Sequence, residues 1–145
     1  MAIGITQFRF HRMYRTKKKT SFSQLVRTMA RLRAPGGCPW DREQTHRSLL
    51  RYLEEETAEV RGAVRRKDWG NLQEELGDVL LQVLFHADIA EERGDFTIHD
   101  VIHTLRAKLV RRHPHVFGKG KREVLTSDEV KKRWKLIKAN EKKGR

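Results

Sequence analysis

A chain of 145 residues with 37% hydrophobic and 35% charged residues fits one domain with a modest core, the kind that often completes its burial by pairing with a second copy. No run approaches the roughly 18 apolar residues of a membrane-spanning helix, and no apolar segment before a small-residue cleavage site stands near the start. The single Cys38 allows neither an internal disulfide nor a cysteine zinc cluster, and reads as a small half-buried residue beside Pro39. These features lead us to expect a soluble, cytoplasmic protein with no membrane partner.

The net charge of +13 is unevenly spread: +9 over residues 1–40, −7 over 41–105 and +11 over 106–145. An acidic middle between basic ends suits a site that takes a cation together with a polyanion. A solvated basic surface with one acidic helix pair is the plainer reading, and charge alone does not separate the two.

Residues 1–20 are basic, with Arg9, Arg12, Arg15 and Lys17 to Lys19, and lack an apolar period; they read as a tail. They are Arg-rich and acid-free, as organelle transit peptides are, but not Ser-rich. The domain is expected over 21–145. Phe22, Leu25, Val26, Met29 and Leu32 recur at helical steps behind Ser21 as N-cap. Pro35, Gly36 and Gly37 end that helix and open a loop through Cys38-Pro39-Trp40-Asp41. A long helix is expected from about residue 43 to 67. A second, capped by Asp68, runs to about Arg93 and stops at Gly94. Thr97 caps a third through about Arg112, ended by Pro114; Gly118 and Gly120 mark a loop. Ser127 starts a last helix to about Lys142. With no period-2 strand and no repeat, the fold class is all-α.

At 100° per residue, Leu49, Leu53, Val60 and Ala63 form an apolar stripe on the first long helix. Glu56 falls in the middle of that stripe and Glu59 at its margin, while Glu55 sits further round. An ionised carboxylate there is costly unless a cation or hydrogen bonds compensate it. On the next helix Leu72, Leu76, Val79, Leu80, Val83 and Leu84 make a dense apolar face, with Leu81, Phe85 and Ile89 behind it. A narrow polar seam of Glu75, Asp78, Gln82 and His86 runs between those surfaces. Each helix of an antiparallel pair thus offers two acids at i, i+3 beside the core. Four such oxygen donors would repel without a metal, and a set lacking Cys or paired His selects Mg²⁺, with Mn²⁺ as a substitute. The competing reading makes these acids solvated partners of Arg51, Arg61 and Arg65, which fits Glu54 and Glu74.

Glu55-Glu56-Thr57-Ala58-Glu59 followed by Glu75-Leu76-Gly77-Asp78 resembles the EExxE…ExxD signature of the MazG family, all-α nucleoside triphosphate pyrophosphohydrolases. Three flanking segments strengthen the likeness. Gly37-Cys38-Pro39-Trp40-Asp41 with Glu43-Gln44-Thr45-His46 resembles GCPWD…EQTH, residues 74–83 resemble EELGDLLLQV, and residues 112–118 resemble RHPHVFG. The likeness covers about residues 22–142. It implies an antiparallel helical bundle that dimerises, with sites built partly across the subunit interface. It also implies cleavage of an NTP or dNTP between the α- and β-phosphates to a monophosphate and pyrophosphate. Metal ligands carry over by motif to Glu56, Glu59, Glu75 and Asp78, the four that the stripe argument selects. Glu55 matches the first acid of the signature, as a second-metal ligand or water activator. Many members carry two tandem domains where this chain has one, and the resemblance does not extend to residues 1–20.

The negative phosphates call for bases, and Lys108, Arg111 and Arg112 cluster at one helix end, where a helix dipole would also favour cations. Trp134 and Lys138, four apart and followed by Glu141, match the family's W…K…E tail, with Trp134 available to stack on a base; alternatively, Trp134 packs with Ile137 to dock its helix. Trp40 is a second stacking candidate, although a tryptophan in a Pro/Gly loop more often anchors the loop. His86 on the polar seam has two readings, a ligand contact or, more usually, a satisfied core histidine, and His113 and His115 are too few for zinc. The alternative from another class is a basic helical nucleic-acid-binding module with a structural divalent metal. It has few aromatics and no base-reading motif, and leaves the core-facing acids unexplained. A metal-stabilised helical interaction protein is a third reading.

Overall fold

The computed structural model describes residues 19–120 and 123–143; most of the basic tail expected over 1–20 lies outside them. The described residues form seven helices and no strand, the all-α class expected. They are α1 (Phe22–Arg33), α2 (Pro39–Glu43), α3 (His46–Arg66), α4 (Trp69–Glu92), α5 (Ile98–Arg112), α6 (Pro114–Phe117) and α7 (Ser127–Lys143). The chain divides into two units, Met1–Ser48 and Leu49–Arg145.

In the first unit, Ser21 and Gln24 cap α1 reciprocally: the Ser21 hydroxyl accepts from the Gln24 N–H (3.2 Å), and the Gln24 side chain from the Ser21 N–H (2.7 Å). Met29 and Arg33 are buried. The Arg33 guanidinium donates to the backbone carbonyl of Asp41 and, at 3.5 Å, to that of Gln44. A cation here meets carbonyls at the end of α2, where that of Asp41 otherwise has only a long bond from the Gln44 N–H (3.4 Å). Gly36 has a φ of +79°, and a Cβ on Gly37 would stand 2.2 Å from the Leu32 carbonyl oxygen, so this turn requires glycine. The segment expected as a loop through residues 38–41 instead starts a short helix, with Pro39 in its first turn.

The long helix begins at His46, not near residue 43. Thr45 and Ser48 exchange side-chain and backbone bonds of 3.0 and 3.1 Å, which supplies a cap the periodicity did not indicate.

The second unit is organised by the α3–α4 hairpin. Lys67 takes a left-handed φ of 56°, the Asp68 N–H bonds the Ala63 carbonyl (3.0 Å), and the Asp68 side chain caps α4 at the Asn71 N–H (3.1 Å). So short a link makes an αα-hairpin. Leu49, Ala63, Leu84, Phe85, Ala87, Ile89, Ala90 and Ile98 are buried. The far half of α4 is thus enclosed nearly all round, as its composition implies. Two positions of the expected apolar face differ from expectation: Leu76 in the near half is 52% exposed, and Val83, just past the middle, is 38% exposed. A Thr97–Asp100 capping box starts α5, which packs against α4, α6 and α7. Pro114, expected as the end of a helix, also opens the one-turn α6.

Candidate metal centre

The hairpin makes the acids meet. At 1.5 Å rise per residue from the Lys67–Asp68 turn, Glu56 and Asp78 both stand roughly 16 Å along their helices, and Glu59 and Glu75 roughly 12 Å. Glu56, Glu75 and Asp78 each offer a carboxylate oxygen within 4.8 Å of the other two, and all three are half-buried. Glu56 bears the electrostatic consequence. Its pKa is raised by burial first, then by repulsion from Asp78, Glu75, Glu55 and Glu59. A cation among these oxygens would reverse that penalty, and a donor set made only of oxygen matches a hard divalent ion. The residues fit such an ion.

Glu59, the fourth ligand expected, is exposed and lies outside this three-member group. Among the acids acting on Glu56 its repulsion is the weakest. Glu55 is likewise exposed. Further along the seam, Gln82 is 5% exposed and its Oε1 is enclosed without a hydrogen-bond partner among the described residues.

The predicted substrate residues form a second group, on α5 and α7. Arg111 turns both Nε and Nη2 onto Oε1 of Glu141, each at 2.7 Å. Arg112 reaches the same carboxylate with Nη2 on Oε2 (2.7 Å) and Nε on Oε1 (3.3 Å). These charge-assisted bonds lower the Glu141 pKa to about 2. The Arg112 guanidinium carbon lies 5.8 Å from the Trp134 ring centroid, and Lys138 Nζ 5.4 Å from it, both within cation–π range. Arg111, Arg112, Trp134 and Lys138 are therefore brought together, whereas Lys108 is half-buried earlier on α5. Sequence reasoning noted Glu141 but not its pairing; an acid three residues after Lys138 and seven after Trp134, on one face of a basic helix, was the available signal. Trp40 belongs to the first unit. It is 49% exposed, and its carbonyl accepts from Gln44 Nε2 (2.9 Å).

With this geometry in hand, comparison with known proteins is specific. Residues 44–117 match the MazG nucleotide pyrophosphohydrolase domain. The chain is 55% identical over 121 residues to the nucleoside triphosphate pyrophosphohydrolase/pyrophosphatase MazG of Thermotoga maritima, covering 83% of this chain and 45% of that protein. It is 47% identical over 120 residues to a nucleoside triphosphate pyrophosphohydrolase of Escherichia coli, covering 82% and 45%. The chain thus spans under half the length of these relatives. The crystal structure of a mazG-related protein from Thermotoga maritima superposes with a TM-score of 0.67 at 30% identity, covering 81% of this chain and 98% of that one. The acid-bearing hairpin, the matched domain and this shared fold agree: the chain belongs to the MazG nucleotide pyrophosphohydrolase family.

Proposed function

We propose that the protein hydrolyses NTPs or dNTPs between the α- and β-phosphates, dividing the elements of water between a monophosphate and pyrophosphate. The observation that carries this reading is the convergence of Glu56, Glu75 and Asp78 within 4.8 Å in a chain of this family. Those three, with Glu59 as the fourth ligand the family motif implies, would hold Mg²⁺, for which Mn²⁺ would be a substitute. When bound, the ion supplies charge neutralisation at phosphate oxygens and acidifies water. Glu55 accepts the proton of the attacking water. Lys108 and Lys138 offset phosphate charge, Arg111 and Arg112 add the N–H groups that Glu141 leaves free, and Trp134 offers its ring to the base. Trp40, 49% exposed, remains a second stacking candidate.

We further propose a cytoplasmic homodimer acting in nucleotide-pool housecleaning or regulation. No described helix is long and apolar enough to cross a membrane. Leu50, Val64, Leu76, Ile102, Leu105 and Leu109 are 41–52% exposed, apolar side chains of the kind that a second copy would cover.

The test is product analysis on a panel of NTPs and dNTPs with Mg²⁺ and with EDTA. Mg²⁺-dependent monophosphate and pyrophosphate are expected. Folded protein that turns over no nucleotide would overturn the activity. Salt-dependent binding of DNA or RNA in its place would favour the nucleic-acid module.

A further inference from the structure

Arg111 and Arg112 are neighbours in sequence and so point about 100° apart around α5, yet both guanidiniums reach one carboxylate, Glu141. That arrangement is geometrically demanding. A carboxylate touching both must lie between them, which limits both the rotation of α7 and its position along α5. Both forks are engaged through Nε and Nη2, and the side chains of Arg112 and Glu141 are 16% and 22% exposed. A surface pair of this kind would contribute little; a carboxylate that accepts three guanidinium hydrogen bonds and has a fourth guanidinium nitrogen at 2.7 Å is a fixed joint. Trp134, Lys138 and Glu141 lie at steps of four and three on α7, along one stripe. Securing Glu141 therefore orients the other two, and the Arg112 guanidinium beside the Trp134 ring closes the arrangement.

We propose that Glu141 is a positioning residue for nucleotide binding: it clamps Arg111 and Arg112 so that Trp134 and Lys138 meet the substrate as a preformed unit. The inference rests on the activity proposed above. It divides the cations by task. Lys138 and Lys108 face the phosphates, while Arg111 and Arg112 chiefly hold α7, leaving only their remaining N–H groups for the ligand. Ordering the platform before binding removes an entropic cost that would otherwise weaken affinity for the nucleotide. The effect falls on KM, since the reacting bonds lie with the carboxylates.

The experiment compares the full-length chain with Glu141→Gln and Glu141→Asp in two measurements. The first, without nucleotide, follows the indole N–H resonance of Trp134, assigned by its loss in Trp134→Phe. The resonance is expected to shift in Glu141→Gln, with those of Trp40 and Trp69 unmoved, and to return toward its original position in Glu141→Asp. An unmoved Trp134 resonance overturns the clamp whether or not the protein is an enzyme. The second measures kcat and KM for the NTP that the wild type hydrolyses best. Glu141→Gln should raise KM about tenfold with kcat within about twofold, and Glu141→Asp should recover part of the loss. Unchanged KM, or a fall in kcat at constant KM, overturns the positioning role. Absence of turnover by the wild type removes the activity reading and the positioning role with it, while the resonance still reads the clamp.

Discussion

The α3–α4 hairpin and the α5–α7 joint solve opposite electrostatic problems in the same unit. In the hairpin, Glu56, Glu75 and Asp78 crowd like charges together, and Glu56 is pushed upward in pKa. In the joint, Glu141 sits between Arg111 and Arg112, and its pKa falls to about 2. The first arrangement is unfavourable without an added cation; the second satisfies itself. Where charge is left uncompensated, the chain is prepared for a ligand. Where it is matched internally, the chain is holding itself together.

The sharpest way to break this contrast is to neutralise the hairpin. Glu56→Gln or Asp78→Asn should reduce turnover by about 100-fold or more at saturating Mg²⁺, with helical circular dichroism unchanged. Near wild-type rates in either variant would sink the carboxylate site. Next in size is the ion itself. Mg²⁺ should raise the melting temperature of the wild type, because an ion that binds only the folded chain stabilises it by mass action. Both variants should lose most of that increment; an equal increment in them would move the ion elsewhere.

A smaller effect is expected on the phosphate side. Lys108→Ala should lower kcat/KM about tenfold, chiefly through KM, and an unchanged profile would shift the phosphate contacts to other cations. The subtlest test is the pH dependence of stability, where the two regions should behave with opposite sign. Glu141 is more acidic in the folded chain than its ordinary 4.5, so its stabilisation is complete above pH 4.5 and lost as pH falls toward 2. The melting difference between wild type and Glu141→Gln should shrink over that window. Glu56 is raised above 4.5, so in EDTA its charged form destabilises the fold at neutral pH. Glu56→Gln should then melt a few degrees above wild type, with the gap closing as pH falls to 4.5. Parallel curves for the two variants would erase the comparison.

Much of this could be read along the chain because it is local. Ser21, Asp68 and Thr97 cap the helices that their spacing announced, since a cap joins groups three residues apart. The position of Glu56 on an apolar stripe anticipated its half-burial, because helical periodicity assigns faces. Short α2 and α6 escaped notice: a helix of four or five residues has no measurable period, and Pro39 and Pro114 suggest a loop as readily as a first turn.

What the sequence by itself determined was therefore the five longer helices, most of their caps and the acids turned toward the core, all set by interactions within a few residues. Tertiary structure alone decided which acids converge and which cations remain available. Glu59 stands level with Glu75 on the hairpin yet falls outside the three-carboxylate group: its place at the stripe's margin was legible, but whether that margin reaches the acids of α4 depends on how the two helices pack. Arg111 and Arg112 are taken up by a carboxylate 30 and 29 residues away, because chain folding brings distant charges together and the Coulomb energy between them depends on that separation in space, not in sequence.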